Sequence, residues 1–362
     1  MDHQFEGRCV AVTGGCGFIG ANLLLTLVPR HPAARFVNLD CLSYAADPAR
    51  VAAIEAAPNY TFERLDIRDR ESVAEAFGRH DITDVIHLAA ESHVDRSLYD
   101  PAVFVETNVL GTLNLLDALV ARERHGRFLH VSTDEVYGSL PLDSAERFRE
   151  CSPYDPSSPY SASKAASDHL ARAYHRTYGL DVVVTNCSNN YGPWQFPEKL
   201  IPLMISNALE GRELPVYGDG RNVRDWIHVS DHCEGLEAAF LRGEPGGTYN
   251  LGADAERSNL QVVQAICDLV DAMASPLPSG ASRRSLIRFV ADRPGHDLRY
   301  AIDASLARSE LAWAPRRRFE EGLADTVSWY LENRDWVAAC CGGGAFVDHY
   351  ARHYRPGKGG SA

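Results

Sequence analysis

Two pairs of residues in this chain have the types and spacing to move protons. Asp134 and Glu135 stand side by side after the β-branched run Arg127–Thr133, and two carboxylates in different surroundings can divide acid from base work. Tyr160 and Lys164 lie four apart, which on a helix puts a phenol and an ammonium on one face, a turn apart. A neighbouring cation lowers a tyrosine pKa from about 10 toward neutrality, so Tyr160 is a candidate base for an alcohol proton. Thr133 could polarise the same hydroxyl. Each pattern has a plainer explanation. Acidic residues after a strand often cap and open a helix, and Tyr/Lys pairs at this spacing arise by chance.

A third constellation suits a dinucleotide. Thr13-Gly14-Gly15-Cys16-Gly17-Phe18-Ile19-Gly20 follows the run Cys9–Thr13 and opens an apolar helical stretch. Glycines at 14, 17 and 20 permit a tight turn and close approach of a pyrophosphate to helix N–H groups. Asp40 ends the second strand-like run, twenty residues beyond Gly20. A carboxylate there accepts both ribose hydroxyls and repels a 2′-phosphate, which favours NAD over NADP. Asp66-Ile67 ends the third run at the same edge, where Asp66 could accept from an adenine amino group or cap the next helix. Leu88-Ala89-Ala90 ends the fourth with small residues that suit a close cofactor or ordinary packing.

These residues need a scaffold that brings strand ends together. Cys9–Thr13, Arg35–Leu39, Thr61–Ile67, Asp84–Leu88, Arg127–Thr133 and Asp181–Asn186 read as strands, and 18–29, 47–57, 69–79, 101–124 and 160–178 as helices. The alternation predicts an α/β fold, a doubly wound parallel sheet with helices on both faces, and CVAVT and DVVVT are the continuous apolar strands such a sheet requires. Beyond 187, YGPWQFP, LPVYGDGR, GEPGG and SPLPSG break the rhythm. The expected division is a dinucleotide-binding domain over 1–187, a smaller loop-rich domain over 188–345 and a frayed tail over 346–362. A strand near 248–252 is able to return to the main sheet.

The 362 residues suit about two domains at roughly 150 each. With 45% hydrophobic and 23% charged residues the chain reads as globular. A net charge of -13 argues against nucleic acid and anionic membranes as partners, so an anionic ligand must be held locally by helix N-termini and a few arginines. Nine cysteines without CxxC spacing read as small buried hydrophobes in a reducing compartment, and the histidines show no metal-ligand spacing. The polar residues 1–8 and the short apolar runs point to the cytoplasm.

TGGCGFIG, LAAESHVDRS, STDEVYG, YSASK, NCSNNYGP, FPEKLIP, VRDWIHV and ADRPGHDLRYAID, from about residue 9 to 335, closely resemble the dTDP-glucose 4,6-dehydratases of the extended short-chain dehydrogenase/reductase superfamily. The resemblance implies that Tyr160, helped by Thr133 and Lys164, takes the 4-hydroxyl proton of dTDP-glucose while hydride passes to NAD. Glu135 then removes the C5 proton, Asp134 protonates the leaving 6-hydroxyl, and hydride returns to C6. It further implies cofactor contacts at Gly14, Gly17, Phe18, Ile19, Gly20, Asp40, Cys41, Ser43, Asp66, Ile67, Leu88, Ala89, Ala90, Thr107, Tyr160, Lys164 and Asn190. The substrate would meet Ser92, Thr133, Asn189, Lys199, Leu200, Pro215, Tyr217, Arg224, Asn259, Asp292, Arg293 and His296. Arg224 and Arg293 make the best physical sense, because a planar guanidinium forks onto diphosphate oxygens.

Cys41 and Trp194 depart from the usual family residues, near the adenosine and in the sugar-nucleotide loop. A UDP-sugar 4-epimerase would share the fold, NAD and the Tyr/Lys pair but has no use for Asp134 and Glu135. A UDP-xylose-forming decarboxylase would need a uronic carboxylate site. A silent NAD-binding regulator would not need Thr133, Tyr160 and Lys164. In this superfamily the helices 101–124 and 160–178 often pair across a two-fold axis, which implies a homodimer.

Overall fold

The computed structural model describes residues 4–354. Strands β1 (Cys9–Thr13), β2 (Arg35–Asp40), β3 (Tyr60–Arg64), β4 (Asp84–His87), β5 (Arg127–Thr133) and β6 (Asp181–Cys187) join one parallel sheet. The chain then forms β7 (Asn189–Tyr191), β8 (Leu214–Tyr217) and β9 (Val223–His228) before β10 (Thr248–Leu251) returns to pair with β6. The spatial order is β10-β6-β5-β4-β1-β2-β3. Every residue of β1 and β5 is buried, as strands covered on both faces must be. α1 (Phe18–Arg30) and the helix Val229–Arg242 pack one face through Leu23, Leu27, Leu236 and Phe240. α2 (Arg70–His80) and the helices Pro101–Val120 and Pro159–Tyr178 pack the other through Phe77, Leu115, Leu119 and Ala171. The order reverses between β1 and β4, so ligands belong in the crevice beyond the carboxyl ends of those strands.

Several elements differ from the sequence expectation for local reasons. The third strand stops at Arg64 because the Asp66 carboxylate accepts the Arg68 N–H at 2.9 Å and turns the chain, so Asp66 and Ile67 lie beyond its end. The 47–57 stretch is a 3-10 helix, Pro48–Ile54, capped by Asp47. Pro101–Val120 stops short of 124 and contains a π turn, Val105–Leu110. It is apolar and long enough to cross a membrane, with half of its most apolar stretch buried in the fold, where it packs on α2 and the Tyr160 helix.

The division near 187 is not a clean cut. β7, β9 and β11 (Glu256–Ser258) form a small sheet, β8 pairs with β12 (Ile287–Val290), and a second core gathers Ile205, Val263, Ile266 and Val327. Yet Ala304, Ala307, Leu311 and Trp313 pack with the first core. The expected frayed tail is a helix as far as it is described, Gly344–Tyr354. Phe346 is buried with its ring against Phe196, and Asn207 donates to the Tyr350 hydroxyl at 3.3 Å. Residues 355–362 lie outside the described residues. All nine cysteines are free, and Cys41 and Cys151 are exposed rather than buried.

Candidate active site

At the switch point the glycine turn is shaped by its lack of side chains. Gly14 has φ +70°, and a Cβ there would stand 2.9 Å from the Ala89 Cα; one at Gly20 would stand 2.2 Å from the Gly14 carbonyl oxygen. No side chain caps α1 at Gly17, which leaves the N–H groups of Phe18 and Ile19 for an anion. Asp40 accepts the Cys16 N–H at 2.9 Å and the Leu42 N–H at 2.8 Å, two of about four acceptor positions on a carboxylate. Burial pushes its carboxyl up, against those two N–H groups. Turn and carboxylate fit the diphosphate and adenosine ribose of NAD.

The other sequence-selected cofactor residues divide. Thr13 Oγ1 accepts the N–H groups of Leu88 and Ala89, each at 3.1 Å, holding the end of β4 against the glycine turn. Ala90 and Thr107 are half-buried, and Cys41 and Ser43 are exposed. Asp66 is held by Arg68, whose guanidinium keeps the carboxyl below its ordinary range. Ile67 is a core residue beneath Gly111, where a Cβ would meet it at 2.5 Å. Asn190 donates to the Ser188 carbonyl and meets His232 Nδ1 at 2.9 Å.

β5 delivers the proton-moving residues. Thr133 caps the 3-10 turn Asp134–Tyr137, accepting the Glu135 N–H at 3.3 Å. Asp134 is 1% exposed and its Oδ2 has no hydrogen-bond partner. Burial, then Glu135 and Asp225, pushes its carboxyl well above the ordinary range, so it persists as the acid. Burial also raises Glu135, but Arg293, Arg224 and Lys199 oppose it. The two adjacent carboxyls thus occupy unlike surroundings: Arg224 opposes the rise of Asp134, whereas three cations oppose that of Glu135.

Tyr160 and Lys164 share the buried face of the helix Pro159–Tyr178. Lys164 Nζ donates to the Val131 carbonyl at 2.9 Å. Burial, then Glu135, pushes the Tyr160 phenol well up, opposed by a hydrogen bond with Thr133. Lys164 is not among the groups that bear most on the phenol, and the expected downward pull rested also on a positively charged nicotinamide. Beneath lies a buried group the sequence reading missed. Asp168, one turn beyond Lys164, accepts from Ser132 at 2.9 Å and Tyr154 at 2.8 Å and pairs with His130 at 3.1 Å.

A single family accounts for this arrangement. The sequence model of the GDP-mannose 4,6-dehydratase family matches residues 11–326. A dTDP-glucose 4,6-dehydratase of Xanthomonas campestris pv. campestris (strain B100) is 54% identical over 334 residues, 90% of this chain and 94% of that one. The chain belongs to the dTDP-glucose 4,6-dehydratase family. The solved family member DesIV from Streptomyces venezuelae, a structure with NAD bound, superposes with a TM-score of 0.85 at 46% identity, covering 92% of this chain and 100% of that one. The UDP-glucose 4-epimerase of Thermus thermophilus shares the fold, with a TM-score of 0.80 over 90% of this chain and 100% of that one, at 31% identity.

On the second body's side of this dehydratase-family site, Arg224 is buried, donates to the Asp297 carbonyl at 2.9 Å and lies 4.2 Å over the Tyr300 ring. Arg293 pairs with Asp95 at 3.0 Å, and the Tyr217 hydroxyl donates to the same carboxylate at 3.3 Å. His296 holds Asp292 at 2.6 Å, and burial with the two arginines pushes its imidazole down to about 4. Lys199 donates to the Ser92 carbonyl at 2.8 Å. Leu200 opens the helix Leu200–Leu209, Asn259 opens Asn259–Met273, and Pro215 lies in β8. Asn189 starts β7 with its Oδ1 unpartnered. Trp194 packs on Trp329 and Trp336. Asp95, Glu198 and Tyr300 stand inside the quoted stretches LAAESHVDRS, FPEKLIP and ADRPGHDLRYAID but were missed, because Arg293 meets Asp95, Arg96 meets Glu198 at 3.1 Å and Arg224 covers Tyr300 only in the folded chain.

Proposed function

We propose that the chain dehydrates dTDP-glucose to dTDP-4-keto-6-deoxy-glucose and keeps its NAD between turnovers. The observation that carries this reading is the unlike pair Asp134 and Glu135 beside Tyr160. When bound at the glycine turn and Asp40, NAD supplies the hydride acceptor for C4 and the donor for C6, with no net redox change. Tyr160, hydrogen-bonded to Thr133, takes the 4-hydroxyl proton as its phenolate, the form that the positive nicotinamide of bound NAD would favour over the phenol. The resulting ketone acidifies C5, and Glu135, whose carboxylate is favoured by three cations against burial, abstracts that hydrogen. Asp134, still protonated, gives its proton to the departing 6-hydroxyl, and Glu135 later returns its proton to C5. Arg224 and Arg293 balance the substrate diphosphate.

The decisive experiment incubates the protein with dTDP-glucose, UDP-glucose and GDP-mannose and follows the 4-keto product by its alkaline absorbance. Product from dTDP-glucose is expected, and its absence overturns the reading. We further propose a homodimer in the cytoplasm. Supporting the dimer, Val105 and Leu110 on Pro101–Val120 and the nearby Tyr99 are about half exposed, next to the helix Pro159–Tyr178.

A further inference from the structure

We infer that the C-terminal helices clasp the cofactor loop and that Trp336 and Arg50 are positioning residues that set how long NAD stays bound. The helix Arg334–Gly342 begins after the family match ends at residue 326, yet it reaches back across the molecule to the loop behind Asp40. Trp336 Nε1 donates to the Asp47 carboxylate at 2.7 Å, on the residue that caps Pro48–Ile54. Its ring lies 5.3 Å from the Arg50 guanidinium and packs on Trp194 and Trp329.

Arg50 is 2% exposed and donates to the Cys16 carbonyl at 2.7 Å and the Ala45 carbonyl at 2.6 Å. One guanidinium therefore ties the glycine turn to the ribose loop. Its Nε and other terminal nitrogen have no hydrogen-bond partner, so the flat face of the tryptophan, an electron-rich surface, offsets the buried charge there together with the nearby Asp47 carboxylate. Cys16 also donates its N–H to Asp40. The path is continuous: Trp336 holds Asp47 and covers Arg50, Arg50 holds Cys16 and Ala45, and Cys16 orients the ribose carboxylate. Phe346 extends the clasp to Phe196, whose ring meets Tyr44 of the same loop.

This rests on the NAD reading and is tested apart from it. Trp336→Phe keeps a ring and removes the N–H; Trp336→Ala removes both. Each variant, checked for folding by circular dichroism, is loaded with NAD and desalted, and release is followed by extraction and chromatography. Release from Trp336→Ala is expected to be roughly tenfold faster than from the unaltered protein, with an intermediate effect for Trp336→Phe. With NAD in excess, kcat should stay within about twofold while KM for NAD rises. Unchanged release from a folded variant overturns the clasp, and so does a fall in kcat at saturating NAD with retention intact. If Trp336→Ala does not fold, unchanged release from Trp336→Phe is enough to overturn it. Failure of the unaltered protein to hold NAD at all would strike the NAD reading instead.

Discussion

Two neighbouring carboxyls with opposite tasks need environments that differ within a few ångströms, and here more cations oppose the rise of one than of the other. Glu135 faces Arg293, Arg224 and Lys199, whereas Asp134 is buried with an unpartnered oxygen. Glu135→Gln should still oxidise C4 but stall before elimination, with kcat down roughly 10²- to 10⁴-fold and enzyme-bound NADH visible by its absorbance on mixing with dTDP-glucose. Full dehydration by that variant would remove Glu135 from its role. Asp134 carries a pH signature. Its carboxyl is raised in the folded state, so its neutral form stabilises at low pH and that contribution is lost as pH rises through the raised value. Asp134→Asn should therefore melt at a higher temperature than the parent protein at pH 8, by roughly a few degrees, with a smaller gap at pH 5. Thermal melts at both values check the sign.

Among elements, the glycine turn is the least tolerant. Gly14→Ala combines a positive φ with a Cβ 2.9 Å from Ala89, and should cost about 1–3 kcal/mol of stability and empty the cofactor site; melting temperature and retained NAD report both. This turn was legible because everything it needs is consecutive in sequence. So were STDEVYG and YSASK, each a strand end or helix face a few residues long. Less legible were features set by partners distant in the chain. The Asp66 side chain ended a strand that its apolar neighbours could have continued. The upward push of burial on the tyrosine was not legible because it exists only once β5 and the Tyr160 helix are packed. Asp95 looked like one more acid until Arg293 and Tyr217 folded onto it.

For the whole molecule, a net charge of -13 and a proposed anionic substrate are compatible because Arg224, Arg293 and Lys199 surround Glu135 in a partly desolvated site where their field is little screened. The exposed stripe at Val105 and Leu110 gives a further test. Leu110→Glu should shift sedimentation from dimer to monomer, and an unaltered species distribution would rule that face out. The two bodies are also interleaved, since the stretch from Ala304 to Trp313 fills the core around β1 and β6. During synthesis, the strands that bear Asp134 and the glycine turn leave the ribosome long before the residues that finish packing them. Parted at 187, the first half should not fold as a free-standing nucleotide module, and calorimetry of the whole chain should record one melting event in which cofactor and sugar sites are lost together.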